Sequence, residues 1–230
     1  MKAPADQRGR RAFSAVVRGK LSRGPSAHIE ANKGTLQFLP PPRDRGAHAQ
    51  PIAPHDVSKL AAEQYCMGLN AVYGIEVAAL RYFNVFGSRQ DPNSQYSGVI
   101  PKFLSQALDG VPLVVFGDGT QSRDFTYVDN VATATLSASE HRLDGPLICN
   151  VGCGSSHTVF ALAEAVGRVA KRPVRIEYVG ARPGDVLHSF ADITIAREAL
   201  GYDPTVGLEE GLESTLDWML AQRRAGQCPG

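Results

Sequence analysis

Apolar and polar residues follow no stable period over residues 1–50, whereas from Pro51 onward they fall into short regular blocks. In the first stretch only Val16-Val17 and Thr35-Leu36-Gln37-Phe38-Leu39 read as strand-like, and Pro40-Pro41-Pro42 interrupts what precedes it. A helix is predicted to open at Asp56 or Ser58 and run to about Tyr73, with Leu60, Gln64, Met67 and Val72 facing one way and Gly74 placed to stop it. The apolar segment Val77, Ala79, Leu80 follows directly and predicts a buried, parallel strand. Val99 to Leu108 reads as a helix ended by Asp109-Gly110, and Leu113–Phe116 as a strand turning at Gly117-Asp118-Gly119. Phe125–Val128 is a further strand, after which Asp129 suits the N-cap of a helix from Asn130 to about Glu140. Leu147–Val151 is strand-like. Thr158 can cap a helix from Val159 to Lys171, whose last turn carries Arg168, Lys171 and Arg172, cations that suit a helix C-terminus. Val174–Val179 is a strand, and Thr194–Leu200 is a short helix closed by Gly201. Leu208, Leu212, Leu216 and Leu220 recur every fourth residue and mark a final amphipathic helix.

Strands alternating with helices define an α/β protein. Charge divides the 230 residues at the same place as the pattern does. Residues 1–50 hold ten Lys/Arg and three Asp/Glu, a net +7, and the remainder carries a net −6. An acidic body argues against nucleic acid as partner. Residues 1–50 are expected to form a poorly ordered basic extension. An acid-poor mitochondrial-type presequence, a basic tail for anionic surfaces and a corrupted reading frame are the other readings of that stretch. No apolar run approaches the roughly 18 residues that cross a bilayer, and no signal peptide is visible, which predicts a cytoplasmic protein. Cys66, Cys149, Cys153 and Cys228 form no metal-ligand spacing with any histidine and read as reduced thiols.

The candidate chemistry begins at Pro54-His55-Asp56-Val57-Ser58-Lys59, where His55 and Lys59 stand four residues apart on one helical face. The phrase resembles the Ser-Pro-Tyr-x-x-Ser-Lys signature of the extended short-chain dehydrogenases, the NAD-dependent nucleotide-sugar epimerase/dehydratase family. Serine and lysine match, and His55 stands at the tyrosine position. Three further phrases follow in the family's order: Arg81-Tyr82-Phe83-Asn84-Val85-Phe86-Gly87-Ser88-Arg89-Gln90-Asp91-Pro92, then Phe116-Gly117-Asp118-Gly119-Thr120-Gln121-Ser122-Arg123-Asp124-Phe125, then Arg182-Pro183-Gly184-Asp185. The resemblance covers residues 51–220 and matches the latter half of a family member, leaving 221–230 as a tail.

That resemblance implies the end of a Rossmann-type parallel sheet plus a smaller α/β substrate-binding domain. NAD is the implied cofactor, although no glycine-rich turn of the kind that holds a pyrophosphate occurs before Lys59. In the family the motif tyrosine is the acid/base, and the lysine lowers its pKa and bonds the nicotinamide ribose. Lys59 takes the lysine's place and His55 the tyrosine's. Imidazole titrates near neutrality but is shorter than phenol, so intrinsic turnover is expected to be impaired. The upstream catalytic serine or threonine has no clear match; Ser26 and Thr35 are the nearest hydroxyls. Phe83 would lie near the nicotinamide, and Asn84 would bond the substrate diphosphate or sugar. Val99, in Ser97-Gly98-Val99-Ile100-Pro101, would lie along the nucleotide base. Arg123 and Arg182 would clamp the diphosphate, as forked guanidinium groups can, and Asp185 would accept from a ribose hydroxyl.

The implied partner is a UDP-sugar or other nucleotide sugar, and the implied activity that of a UDP-sugar 4-epimerase. A dTDP-sugar 4,6-dehydratase, a UDP-glucuronate decarboxylase and a non-catalytic nucleotide-sugar-binding fragment are the alternatives. Homodimerisation through the helix carrying Lys59 is a further implication.

Overall fold

A computed structural model describes residues 13–18, 28–29, 54–94, 97–181 and 186–226. Of residues 13–18, 28–29 and 54–56 it describes the backbone alone. The Thr35–Leu39 fragment, Arg182, Asp185 and Cys228 lie outside the described residues.

Two short strands come first, β1 (Phe13–Arg18) and β2 (His28–Ile29). The Val16-Val17 fragment falls inside β1. Helix α1 (Pro54–Tyr73) begins on a proline, the residue best tolerated in a first turn, and ends at Gly74, whose φ of 64° suits a residue without Cβ. Strand β3 (Glu76–Tyr82) follows at once. Its four residues Val77–Leu80 are all buried, as a strand covered on both faces requires. Val77 and Ala79 pack with Cys66, Ala62 and Met67 of α1. Ala78, Leu80 and Tyr82 pack on the other face with α3 (Val128–Glu140) and α5 (Thr194–Leu200).

β3 pairs in parallel with β8 (Leu147–Val151), from Ala78↔Leu147 to Tyr82↔Val151. Its other edge is taken by β1, which runs antiparallel from Phe13↔Arg81 to Arg18↔Glu76, with β2 outside it.

A second core gathers around the parallel pair β5 (Leu113–Phe116) and β10 (Ile176–Val179). Helices α2 (Val99–Asp109), α4 (Val159–Ala170) and α6 (Leu208–Arg224) close over it through Phe103, Leu104, Leu162, Val166, Leu212 and Leu216. Thr158 caps α4, its hydroxyl accepting from the Ala161 N–H at 3.0 Å. The two-residue strands β4 (Val85–Phe86), β6 (Ser122–Arg123), β7 (Thr126–Tyr127) and β9 (His157–Thr158) stitch the loops together. Phe86 and Tyr127 meet edge to face at 5.6 Å, and α6 descends onto the pair at Gly211, where a Cβ would stand 2.7 Å from Phe86.

Two sequence expectations are corrected. The buried face of α1 is Lys59, Glu63 and Cys66, while Gln64 and Val72 face solvent. Polar residues paired inside the core defeat a pattern built on apolar ones. Asp129 is not the N-cap of α3. The helix starts two residues earlier with Tyr127 as cap, and Asp129 sits in its first turn, where an acid still suits the helix dipole.

Candidate functional site

Where β3 ends, the chain turns out of the sheet. Phe83 stays buried, its N–H donating to the Val151 carbonyl at 3.0 Å. Asn84 then adopts φ 32°, a left-handed conformation that asparagine tolerates better than most residues. Its side-chain amide donates to the Asp124 carbonyl at 3.0 Å, and its own carbonyl accepts from the Thr126 N–H at 3.3 Å. Beyond it β4 and β7 pair in parallel, Val85↔Thr126 and Phe86↔Tyr127. Two phrases forty residues apart in sequence are thereby joined at Asn84 and Asp124. The turn itself accounts for a polar residue at the end of a buried strand.

Arg123 is half-buried, and its Nη1 donates to the carbonyls of Ser122 (2.8 Å) and Leu187 (3.3 Å). Directly across the antiparallel β6–β9 pair stands His157. Ser122 N–H donates to Leu187, Ser189 N–H donates back to Ser122, and Ser122 Oγ lies 3.0 Å from His188 Nδ1. The chain that returns after Asp185 is thus laid against Arg123. Val99 is the first residue of α2 and packs partly buried on the second core.

Asp124 was not singled out by the sequence reading. Its side chain is completely buried. Oδ1 accepts from the Cys153 N–H (2.8 Å) and Thr126 Oγ1 (3.4 Å); Oδ2 accepts from the N–H groups of Gly154 (3.0 Å) and Ala191 (3.2 Å). Burial pushes this carboxyl above its ordinary value against the pull of those donors. Burial, then the Asp124 charge, raises the neighbouring Cys153 thiol to about 11, which leaves it protonated and unreactive at neutral pH. The only sequence signal for Asp124 is an acid wedged between Arg123 and the apolar run that starts at Phe125.

On the other side of β3, Glu63 and Arg81 form a bidentate pair, Nε to Oε2 at 2.7 Å and Nη2 to Oε1 at 2.6 Å. The tight turn at Gly74 makes α1 and β3 antiparallel. One helical turn back from Glu63 is Lys59, and two residues on from Arg81 is Phe83. Phe83 packs with Tyr82 and Val151 in the core that faces α3 and α5, on the opposite side of β3 from α1. Lys59 is buried, and desolvation lowers the pKa of its ammonium. His55 opens α1 one turn further on; its backbone alone is described.

The model of the NAD dependent epimerase/dehydratase family matches residues 34–152, just over half of the chain. This chain belongs to the NAD-dependent epimerase/dehydratase family. A UDP-N-acetylglucosamine 4-epimerase from Methanobrevibacter ruminantium, solved with UDP-N-acetylmuramic acid, superposes with a TM-score of 0.74 at 39% identity, covering 79% of this chain and 58% of its own. A UDP-glucuronic acid 4-epimerase from Bacillus cereus, solved with UDP-glucuronic acid and NAD, gives 0.73 at 29% identity, over 81% and 59%. UDP-glucuronic acid decarboxylase 1 of Danio rerio is 32% identical over 188 residues, 80% of this chain and 44% of that protein. This epimerase/dehydratase-family chain therefore spans about half the length of the relatives it matches.

Its residues answer only in part to the family's cofactor. Lys59 is buried on α1 and would hold the nicotinamide ribose, and NAD when bound would supply the hydride acceptor. The strand, glycine-rich turn and helix that cradle a dinucleotide have no counterpart before Lys59 in the sequence, and the β3 edge carries the antiparallel β1. Among the described residues no helix is long and apolar enough to cross a membrane.

Proposed function

We propose that this protein is a UDP-sugar-binding member of the 4-epimerase branch of its family, with the diphosphate held by Arg123 and Arg182. Asn84 and Val99 line the ligand, and Asp185 takes a ribose hydroxyl. The observation that carries the reading is the junction at Asn84 and Asp124, which brings the Arg-Tyr-Phe-Asn phrase against the phrase containing Arg123. Similarity to 4-epimerases solved with UDP-sugars supports the ligand class. Lys59 is the nicotinamide-ribose residue of this reading, and His55 stands where the proton would be exchanged. An imidazole there reaches less far than a phenol, and a misplacement of about 1 Å can cost roughly a hundredfold in rate, so binding is expected to outlast turnover.

Separate calorimetric titrations with UDP-glucose, uridine and NAD test this. Arg123→Ala and Arg182→Ala are each expected to weaken UDP-glucose by about tenfold or more, roughly 1.4 kcal/mol, and uridine far less. Equal losses for both ligands would remove the diphosphate clamp. The decarboxylase reading draws on the Danio rerio relative, and carbon dioxide released from UDP-glucuronic acid would select it.

Two coarser features belong to the same reading. Val57, Tyr65, Val72 and Tyr73 lie exposed along the outer side of α1, which suits a homodimer through that helix and predicts a two-chain mass in sedimentation equilibrium. Cys66, Cys149 and Cys153 are free thiols, which suits the cytoplasm.

A further inference from the structure

The proposed clamp depends on where Arg123 and Asn84 are held, and neither is anchored by packing alone. Arg123 sits in a two-residue strand and Asn84 in a turn of positive φ. Four pieces of chain meet beside them: the β3–β4 turn, the β6–β7 link, the turn after β8, and the returning segment around Ala191. Each touches one residue. The Asp124 carbonyl takes the Asn84 amide, and its carboxylate takes the backbone N–H groups of Cys153, Gly154 and Ala191 together with the Thr126 hydroxyl.

The approach is close. A Cβ on Gly152 would stand 2.5 Å from Ala191 Cβ and 2.8 Å from Asp124 Oδ2, so no larger residue fits between the β8 turn and the returning segment without moving one of them. Tyr202 seals the far side, donating its hydroxyl hydrogen to the Gly152 carbonyl at 2.8 Å. Such a carboxylate can only accept, and every group facing it is a donor. An amide in its place would set a donor against a donor at whichever oxygen it replaced.

We propose that Asp124 is the positioning residue of the site, gathering the four segments so that Arg123 and Asn84 face one ligand diphosphate. The assignment rests on the UDP-sugar reading above. Asp124 does not touch the ligand; it sets the distance between the groups that do, through its own carbonyl to Asn84 and through the segment from Ala191 back to the Leu187 carbonyl that holds Arg123.

The test is calorimetric titration of the full chain with UDP-glucose and with uridine. It compares wild type, Asp124→Asn, Gly152→Ala and Leu162→Ala, the last a core truncation away from this junction. Asp124→Asn is expected to lose about tenfold or more in UDP-glucose affinity while uridine stays within about twofold. Gly152→Ala, which presses on the same junction from the other side, is expected to repeat that split. Leu162→Ala is expected to lower the urea midpoint without producing it. A general loss of both ligands in Asp124→Asn, or a split of equal size in Leu162→Ala, would make Asp124 a fold residue only and overturn the proposal. So would failure of both junction variants to fold. Wild type binding UDP-glucose while Asp124→Asn binds it equally well would overturn the positioning role and leave the clamp standing. Wild type failing to bind UDP-glucose would end the clamp and this assignment with it.

Discussion

Glu63 and Arg81 are the most fully desolvated ion pair among the described residues, with side-chain exposures of 1% and 18%. Both charges left water on folding, so each depends on the other. Removing one partner of a buried pair typically costs about 3–5 kcal/mol, because the remaining charge stays buried, whereas replacing both by apolar groups of similar volume is often neutral. Glu63→Ala is therefore expected to lower unfolding free energy by about that amount, and Glu63→Leu with Arg81→Met to recover most of it. Urea denaturation of the two variants measures this directly. A single variant within about 1 kcal/mol of wild type would mean that water reaches the guanidinium and screens it. The pair also fixes the register of α1 on β3.

At the scale of elements, α2 and α6 are joined at their C-terminal ends. Arg223 Nη1 donates to Asp109 Oδ1 at 2.7 Å, and Ser105 Oγ donates to Asp109 Oδ2 at 3.2 Å. The Arg223 hydrogen bond leads the causes that hold the Asp109 carboxyl below its ordinary value. A carboxyl depressed on folding contributes stability above its unfolded pKa, and that contribution fades as pH falls through the lower, folded value. The pair is half exposed, so solvent screening limits it to about 0.2–1 kcal/mol. Arg223→Ala should cost that much at pH 7 and nothing once Asp109 is protonated in both states. Thermal melts of the two proteins should converge as pH falls below about 3.9; a gap that persists there would assign the loss to packing of the arginine stem. The helices in this contact were legible in the sequence. The four-residue recurrence from Leu208 to Leu220 located α6, Gly110 marked the end of α2, and Thr158 the start of α4. The two-residue strands have no period of their own. They exist because distant segments pair, as Val85 does with Thr126, so the phrases of the candidate site could be read while their junction at Asp124 could not. The buried face of α1 stayed hidden for a related reason, since a lysine and a glutamate occupy core positions.

At the scale of the whole molecule, the described residues form two large apolar cores and a small one between α1 and β3. The first lies between β3, β8, α3 and α5, the second among β5, α2, α4 and α6. The chain passes from α5 in one to α6 in the other through residues 201–207, and Asn130 of α3 holds that crossing. Its Oδ1 accepts from the N–H groups of Thr205 and Val206, each at 3.1 Å, and its Nδ2 donates to the Val206 carbonyl at 2.8 Å. Three backbone groups depend on one buried side chain, so Asn130→Ala is expected to cost about 2–4 kcal/mol. The more informative consequence concerns cooperativity. Trp218, the single tryptophan, packs on the second core and reports its unfolding by fluorescence, while circular dichroism reports both. In wild type the two probes should give one coincident urea transition. Asn130→Ala loosens the link without touching the apolar contacts within either core, so the fluorescence and dichroism transitions should separate, with the smaller β3–β8 core melting first. Coincident curves in the variant would locate the coupling elsewhere, at the Asp124 junction, whose carboxylate accepts from the N–H groups of Cys153, Gly154 and Ala191 beside the first core while the next residue, Phe125, packs in the second.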